Sequence, residues 1–293
     1  MLDLGRVITA MVTPFDDHGA LDLDRAAALI DWLIEEQGTD GIVVCGTTGE
    51  SPTLTDEEKM RLLEFTVRHA RKRCSVIAGT GSYDTAHSIE LSKRAEELGA
   101  DGLLLVAPYY NRPTQEGLYR HFQAIAESVR LPVMLYNIPK RTGVNISAET
   151  TIALSQIPNV VATKEASGDF DQVARIISGA RQGFRVYSGD DNQTLPLLAV
   201  GGYGVVSVAS HVIGKPIQQM IRSFLDGNVQ EAARLHRELL PIFSGLFICP
   251  NPVPVKYALT LHGIQAGGVR LPLVPATEQE QAQIRALFTQ TVP

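Results

Sequence analysis

The stretch Val160-Val161-Ala162-Thr163-Lys164 is a short apolar and β-branched run that ends in a lysine. Such a run predicts a buried β-strand. A lysine at the carboxyl end of that strand would lie at the rim of an apolar interior, where burial disfavours the ammonium form and lowers the pKa of the amine. A neutral amine can condense with a ketone to form a Schiff base. On position alone, however, the ordinary interpretation is favoured, in which Lys164 extends its charge into solvent.

Seven more runs of the same kind alternate with longer amphipathic stretches. The predicted strands are Val7–Val12, Gly41–Val44, Ser75–Gly79, Gly102–Ala107, Pro132–Tyr136, Val160–Lys164, Val186–Ser188 and Gly204–Val208. The predicted helices between and after them are Asp24–Glu36, Thr55–Lys72, Thr85–Leu98, Glu116–Val129, Ala148–Gln156, Phe170–Ala180, Gln193–Val200 and Pro216–Asp226. Eight strand-then-helix units favour a closed parallel (β/α)8 TIM barrel of class α/β over a doubly wound sheet, which would be preferred with about five or six strands.

The rest of the chain predicts helices without strands, at Val229–Leu246, Pro254–Leu261 and Thr277–Thr289. We therefore expect a catalytic barrel over residues 1–227 and a C-terminal helical subdomain over residues 228–293. Within the barrel, Thr55 and Glu58 have the spacing of a capping box, which predicts a helix start.

Composition and charge exclude several classes of protein. The 293 residues are 44% hydrophobic and carry a net charge of −6, with no basic run, which argues against nucleic acid or an anionic membrane as partner. No apolar stretch approaches the ~20 residues of a membrane span. The start Met1-Leu2-Asp3-Leu4 lacks a secretory pattern, and three scattered cysteines (Cys45, Cys74, Cys249) fit reduced thiols, so we expect a cytoplasmic protein.

In barrels of this kind the active site lies at the carboxyl ends of the strands. The segment Gly46-Thr47-Thr48-Gly49-Glu50 could hold a carboxylate with its amides and hydroxyls, or could simply cap a helix. Tyr136 and Tyr110 could relay protons, or could cover the core as aromatic lids. Arg141 offers a fork for a second carboxylate, or lies in solvent. Singly the structural interpretations are favoured, but together with Lys164 these residues predict Schiff-base chemistry on a keto acid.

Other chemistries have weaker support. The seven histidines form no metal-like pair at helical spacing. The segment Gly79-Thr80-Gly81-Ser82-Tyr83 lacks the third glycine of a dinucleotide fingerprint. The pair Asp190-Asp191 could bind a divalent ion, although a loop or helix cap is favoured. We expect neither a metal nor an organic cofactor.

Six segments together resemble the pyruvate-dependent class I aldolase superfamily, which contains N-acetylneuraminate lyase and dihydrodipicolinate synthase. The resemblance runs from Gly5 to about Pro275. It rests on Ala10-Met11-Val12-Thr13-Pro14-Phe15, Gly46-Thr47-Thr48-Gly49-Glu50-Ser51, Pro108-Tyr109-Tyr110-Asn111, Tyr136-Asn137-Ile138-Pro139, Arg141-Thr142-Gly143 and Lys164-Glu165-Ala166-Ser167-Gly168. It implies a barrel with a helical C-terminal extension, assembled as a homotetramer of two tight dimers.

The resemblance also implies catalytic roles. Lys164 would form the imine with pyruvate, and Tyr136 would relay protons to and from it. Thr47 would connect Tyr136 to Tyr110, which would come from the neighbouring subunit. The implied reaction is the condensation of pyruvate with L-aspartate 4-semialdehyde to 4-hydroxy-tetrahydrodipicolinate, the first committed step of lysine and diaminopimelate biosynthesis. No cofactor beyond the covalent lysine imine would be needed.

The same resemblance implies substrate-binding residues. Thr48 would hold the pyruvate carboxylate, and Arg141 would receive the carboxylate of the semialdehyde. Val206 would contribute a backbone carbonyl near the lysine, and Gly189 would line the same site. The alternative activity is a lyase that cleaves a 2-keto-3-deoxy sugar acid such as N-acetylneuraminate; Arg141 argues against it. A decayed, non-enzymatic barrel is a third possibility, disfavoured because Lys164 and its partners are intact.

Regulation by lysine is a further expectation. Members of this superfamily that are inhibited by lysine bind it at the tight-dimer interface. The matching positions here are Ser51, Asp56, Lys59, Tyr83, His87 and Tyr109. Since Lys59 would place a cation near the ammonium groups of that ligand and His87 replaces a carboxylate, we expect weak or absent inhibition.

Overall fold

The computed structural model describes residues 4–290, and its centre is a closed barrel of parallel strands that pair in chain order. The strands are β1 (Val7–Ala10), β2 (Gly41–Val44), β3 (Ser75–Gly79), β4 (Gly102–Val106), β5 (Val133–Asn137), β6 (Val160–Glu165), β7 (Arg185–Ser188) and β8 (Gly204–Ser207). β8 pairs with β1 and closes the ring. The (β/α)8 fold class predicted from the sequence is confirmed, and each predicted strand exists within two residues of its predicted bounds.

Side chains alternate between the two faces of the strands, except at Val161 and Ala162 of β6, which belong to the same cluster. Residues such as Ile8, Val43 and Leu104 belong to one buried cluster, which fills the barrel. Their immediate neighbours along the strands belong to a second, larger cluster between the barrel and the helices. Because successive residues of a strand point to opposite faces, this alternation decides which side chains reach the inside of the barrel.

The helices surround the barrel as predicted, with differences at their ends. They are α1 (Leu23–Asp31), α2 (Asp56–Ala70), α3 (Thr85–Glu97), α4 (Gln115–Glu127), α5 (Pro139–Thr142), α6 (Ala148–Leu154), α7 (Phe170–Gly179), α8 (Thr194–Ala199) and α9 (Ser210–Leu225). The capping box is confirmed: the Thr55 hydroxyl accepts from Glu58 N at 3.2 Å, and the Glu58 carboxylate accepts from Thr55 N at 2.9 Å.

Three helical features differ from the sequence prediction. The predicted helix Asp24–Glu36 changes at Trp32 into a π-helical turn, Trp32–Glu36. The one-turn helix α5 forms at Pro139–Thr142, where the sequence predicts no helix. Helix α9 begins six residues before the predicted start at Pro216, because Ile213 (φ −136°) kinks it and allows the proline in the interior.

The C-terminal part consists of α10 (Val229–Gly245), α11 (Val253–Leu261) and α12 (Glu278–Gln290). It packs over the carboxyl ends of the strands, where Phe243, Phe247 and Asn251 line the mouth of the barrel. The expected domain boundary between residues 227 and 228 falls in the turn between α9 and α10; as an independent division it stays a prediction, and the outermost residues of both ranges lie outside the described part of the chain. No helix within residues 4–290 is long and apolar enough to cross a membrane.

Candidate active site

Lys164 lies inside the barrel, and the ordinary interpretation of a solvated lysine is wrong. Its side chain is buried, with 5% of the residue exposed. It is flanked in register by Tyr136 of β5 and Tyr187 of β7, and its Nζ lies 4.2 Å from the centre of the Tyr136 ring. Within the described residues Lys164 forms no ion pair and no hydrogen bond. The amine is therefore free for chemistry.

Gly189, just after β7, provides the space for this lysine. A Cβ atom at Gly189 would lie 2.7 Å from the Cβ of Ala166 and 3.2 Å from the Cε of Lys164. The amide of Gly189 donates to the Glu165 carbonyl at 2.7 Å, which brings its backbone close to β6. The predicted position of Gly189 at the site is thus explained by close approach.

Two adjoining cavities open at this end of the barrel. The lysine cavity has a volume of about 500 Å3 and is lined by Lys164 together with Thr47, Thr48, Tyr136, Ile138, Lys140, Arg141, Gly189, Asp190, Asp191, Asn192, Gln193, Val208, Phe243, Ser244, Phe247 and Asn251. The tyrosine cavity, of about 230 Å3, is lined by Tyr109 and Ser51 among others and shares Thr47, Tyr136, Ile138 and Arg141 with the first. Three basic residues (Lys140, Arg141, Lys164) and two acidic ones (Asp190, Asp191) line this cavity, and the excess of basic side chains favours an anionic ligand.

The loop after β2 presents Thr47 and Thr48 to the lysine cavity. It is bounded by two non-glycine residues with left-handed backbone, Cys45 (φ 58°) and Glu50 (φ 54°). Such strain persists only where the surroundings fix it. Here the Thr13 hydroxyl donates to the Gly49 carbonyl at 2.6 Å, which ties the loop to the end of β1.

The C-terminal part also holds the loop after β2 in place. The sequence alone did not predict these contacts. Glu50 forms a buried ion pair with Lys256 of α11 at 2.8 Å, and accepts a hydrogen bond from Arg270 N at 2.9 Å. Asn251 Nδ2 donates to the Thr48 hydroxyl at 2.9 Å. The sequence offered two weak signals, Asn251 before a proline and Lys256 inside an apolar helix. Neither indicates a partner about 200 residues away in the chain.

The pair Asp190-Asp191 lies in the loop after β7, where Asp190 precedes a one-turn helix without capping it through its side chain. A different structural role belongs to the buried residue Asp191. Its carboxylate accepts from the amides of Val208 (3.1 Å) and Ala209 (3.0 Å) and from the Ser207 hydroxyl, and so fixes the turn after β8. Burial raises the pKa of Asp191 despite these hydrogen bonds. Asp190 lines the lysine cavity, where burial raises the pKa of its carboxyl and the nearby cations oppose that shift.

A buried polar network lies behind the two strands that carry Tyr136 and Lys164. Asn137 Nδ2 donates to both carboxylate oxygens of Glu165 at 3.1 Å. Glu165 also accepts from Ser167 N at 2.8 Å, and burial raises the pKa of its carboxyl. These bonds join the carboxyl ends of β5 and β6, so they fix Tyr136 relative to Lys164.

Two of the predicted catalytic and substrate-binding residues, Tyr110 and Val206, lie outside both cavities in the single chain. Tyr110 is 94% exposed, with a left-handed backbone (φ 73°). Val206 is buried in the barrel interior, in one cluster with Tyr136 and Tyr187. Thr47 and Tyr136 share both cavities, but no hydrogen bond joins their hydroxyls within residues 4–290. The predicted roles of Tyr110 and Val206, and the link through Thr47, stay predictions.

The positions expected to bind lysine form two groups. Asp56 forms an ion pair with Lys59 at 3.1 Å, and its second carboxylate oxygen lies within hydrogen-bond distance of His87 Nε2, at 2.7 Å. Tyr83 and Tyr109 pack edge to face, with ring centres 5.2 Å apart, and Tyr109 lines the tyrosine cavity together with Ser51. Lys59 is thus already neutralised by a carboxylate. A regulatory role for these residues stays a prediction.

Comparison with known proteins identifies the family. The model of the dihydrodipicolinate synthetase family matches residues 3–291. The 4-hydroxy-tetrahydrodipicolinate synthase of Heliobacterium modesticaldum is 59% identical over 287 residues, which cover 98% of this chain and 95% of that protein. A dihydrodipicolinate synthase from Bacillus anthracis superposes with a TM-score of 0.98 at 52% identity and full coverage of both chains. The DHDPS of Cyanidioschyzon merolae, solved with lysine bound, gives a TM-score of 0.96 at 49% identity and covers 98% of this chain and 97% of that one. The chain therefore belongs to the dihydrodipicolinate synthetase family.

Proposed function

We propose that this chain is a lyase that condenses pyruvate with L-aspartate 4-semialdehyde to 4-hydroxy-tetrahydrodipicolinate, in lysine and diaminopimelate biosynthesis. The observation that carries the proposal is the Lys164 amine, which is buried, unpaired within the described residues and directed into a cavity bordered by further cations. The synthase name of a relative that is 59% identical over nearly the whole chain supports the same activity.

The chemistry follows from the amine. Lys164 attacks the keto carbon of pyruvate, and loss of water gives an imine. The positive imine nitrogen acidifies the adjacent methyl group, so that loss of a proton gives an enamine, which attacks the aldehyde carbon of the second substrate. The amino group of that substrate then attacks the imine carbon, closes the ring and releases Lys164. Tyr136, whose ring lies against the amine, is the proposed proton relay.

Substrate binding is divided among the residues of the lysine cavity. We assign the pyruvate carboxylate to Thr48 and the carboxylate of the semialdehyde to Arg141, whose fork suits a planar anion. Lys140 adds positive charge on the same side. Gly189 leaves room for the substituted lysine, and Val206 is proposed to contribute its carbonyl near the amine. No metal or organic cofactor enters this scheme.

We propose that Tyr110 acts across a subunit interface in a homotetramer built of two dimers, in the cytoplasm. The support is its exposure: a tyrosine that is 94% exposed, in the loop that follows β4, can act on a site only if another surface brings it there. Under this proposal Tyr110 completes the proton relay of the neighbouring chain through Thr47.

The alternative, cleavage of a 2-keto-3-deoxy sugar acid, uses the same imine. The position of Arg141 at the junction of both cavities favours a second substrate that carries a carboxylate close to the reacting carbon. A retro-aldol assay with N-acetylneuraminate would distinguish the two activities.

The test is a coupled assay with both substrates. Product is passed to an NADPH-dependent reductase, and oxidation of NADPH is followed by absorbance. We expect turnover with both substrates, none with either alone, and none for Lys164→Ala. Borohydride reduction in the presence of pyruvate should add the mass of the reduced adduct to the wild type and not to Lys164→Ala. Full turnover by Lys164→Ala would overturn the proposed mechanism.

A further inference from the structure

Asn251, from the loop between α10 and α11, reaches into the lysine cavity. Only 8% of the residue is exposed, and its Nδ2 donates to the Thr48 hydroxyl at 2.9 Å across a sequence separation of 203 residues. Its Oδ1 is buried and has no hydrogen-bond partner among residues 4–290. A buried polar side chain that is only half satisfied and lines a cavity needs an explanation.

The direction of this hydrogen bond decides what Thr48 can do. A hydroxyl has one hydrogen to donate and two lone pairs that accept. Because Asn251 occupies a lone pair as donor, the hydrogen of Thr48 stays available, and within residues 4–290 its hydroxyl makes no other hydrogen bond. Since Thr48 lines the lysine cavity, that hydrogen can be donated to a ligand oxygen there.

We infer that Asn251 is a positioning residue, which keeps the Thr48 hydroxyl a donor toward the carboxylate of the keto acid. The C-terminal helical part would thereby set the affinity of a site whose nucleophile lies in the barrel. This inference rests on the proposed function, in which Thr48 holds the carboxylate of pyruvate.

Asn251 is well placed to hold a fixed orientation. Five residues later, Lys256 forms its ion pair with Glu50 and donates to the Gly268 carbonyl at 2.6 Å. The same segment is therefore attached twice to the loop after β2, once at Thr48 and once at Glu50. Two attachments restrict how the amide can turn relative to the hydroxyl.

Two substitutions separate this role from simple filling of space. Asn251→Asp keeps the size of the side chain, but an ionised carboxylate can only accept hydrogen bonds. The Thr48 hydroxyl would then donate its hydrogen bond to the aspartate instead of to the ligand. The variant also adds a negative charge beside the bound carboxylate. Asn251→Ala leaves a gap, but the hydroxyl stays free to donate. If Asn251 acts through the direction of its hydrogen bond, the aspartate variant should bind pyruvate more weakly than the alanine variant. If Asn251 only fills space, the alanine variant should bind pyruvate more weakly.

The experiment measures the pyruvate concentration that half-saturates borohydride trapping of the adduct, and the KM of each substrate. For Asn251→Asp we expect the half-saturating concentration and the KM of pyruvate to rise by about tenfold or more, since a hydrogen bond to a charged group is lost. The rise for Asn251→Ala should be smaller, and the KM for the semialdehyde should change much less in both. Asn228→Asp, the same exchange at an exposed position before α10, is the control.

A double-mutant cycle covers the case in which Asn251→Asp does not fold. In a Thr48→Val background, Asn251→Ala should have no further effect on pyruvate, because the hydroxyl through which it acts is gone. Additive effects, or an alanine variant worse than the aspartate variant, would overturn the inference alone. If the wild type formed no pyruvate adduct, the proposed function would fail and the inference with it.

Discussion

Replacement of Lys256 by methionine tests how the C-terminal part supports the site. Lys256 and Glu50 form an ion pair at 2.8 Å in which the side chains are 4% and 1% exposed. Burial lowers the pKa of Lys256, and the neighbouring Glu50 carboxylate opposes that shift. The Lys256→Met variant keeps much of the volume of the side chain but leaves the Glu50 carboxylate buried without its counter-ion.

The magnitude follows from the loss of one partner. Removing one member of a buried pair costs about 3–5 kcal/mol, because an uncompensated charge remains. Arg270 still donates its amide to Glu50 at 2.9 Å, so we expect the lower end, about 3 kcal/mol. For a chain of this size that corresponds to a fall in Tm of roughly 6–12 °C.

The assay is thermal unfolding followed by circular dichroism, with three variants in parallel. The double variant Glu50→Gln/Lys256→Met removes both charges and should recover most of the lost stability, since a neutral pair needs no counter-ion. Lys215→Met, which removes an exposed lysine paired with Glu36 at 3.7 Å, should change Tm very little.

Two results would refute the reasoning. If Lys256→Met melted like the wild type, the pair would not be the main compensation of the buried Glu50 carboxylate. If the double variant were less stable than the single one, the lost stability would come from packing rather than from an unpaired charge.

Three more predictions test the site and its surroundings. Gly189→Ala places a methyl group 3.2 Å from Lys164 Cε, so kcat/KM should fall by about tenfold or more. Gly268→Ala, which has open space around it, should leave kcat/KM unchanged. Equal activities of the two variants would show that Gly189 is not needed to leave room for the lysine. Burial lowers the pKa of His211 to about 4, so between pH 6.5 and 4 the unfolded chain binds more protons and stability should fall by roughly 3 kcal/mol as the pH drops. In His211→Gln the free energy of unfolding, measured from unfolding curves, should depend less on pH. An unchanged pH dependence would refute the role given to the buried imidazole of His211. Lysine should inhibit weakly or not at all, because the Asp56 carboxylate at its expected site is already paired with Lys59 at 3.1 Å and is not free to bind an ammonium group of the ligand. Half-inhibition below 1 mM would refute this.

Much of the fold was predictable because its signals are local. A short β-branched run such as Gly41–Val44 can be buried on both faces only between layers of helices, which indicates a parallel sheet. The start of α2 was predictable from the reciprocal bonds of Thr55 and Glu58. The gathering of Thr47, Tyr136 and Lys164 followed from the rule that the strands of a barrel end at one mouth.

The supports of the site were not predictable, because they depend on contacts between distant parts of the chain. The bond from Asn251 to Thr48 spans 203 residues, and no periodicity or motif encodes it. The same holds for Lys256, which reads as a polar interruption of an apolar helix until Glu50 is placed beside it. Tyr110 differs from Asn251 and Lys256, because its predicted role follows from the sequence but has no support within the single chain. The residue is exposed there, so the role depends on a neighbouring chain.

An irregularity between β5 and β6 decides that Lys164 faces inward. Val133 pairs with Val160, but the next residue, Met134, pairs with Ala162, so Val161 is an extra residue in β6. Had the pairing continued without it, Lys164 would lie opposite Asn137, whose side chain faces the helices. With the extra residue it lies opposite Tyr136 instead. A one-residue shift exchanges the two faces of a strand, and so the bulge at Val161 turns the amine into the barrel and the Glu165 carboxylate outward to Asn137.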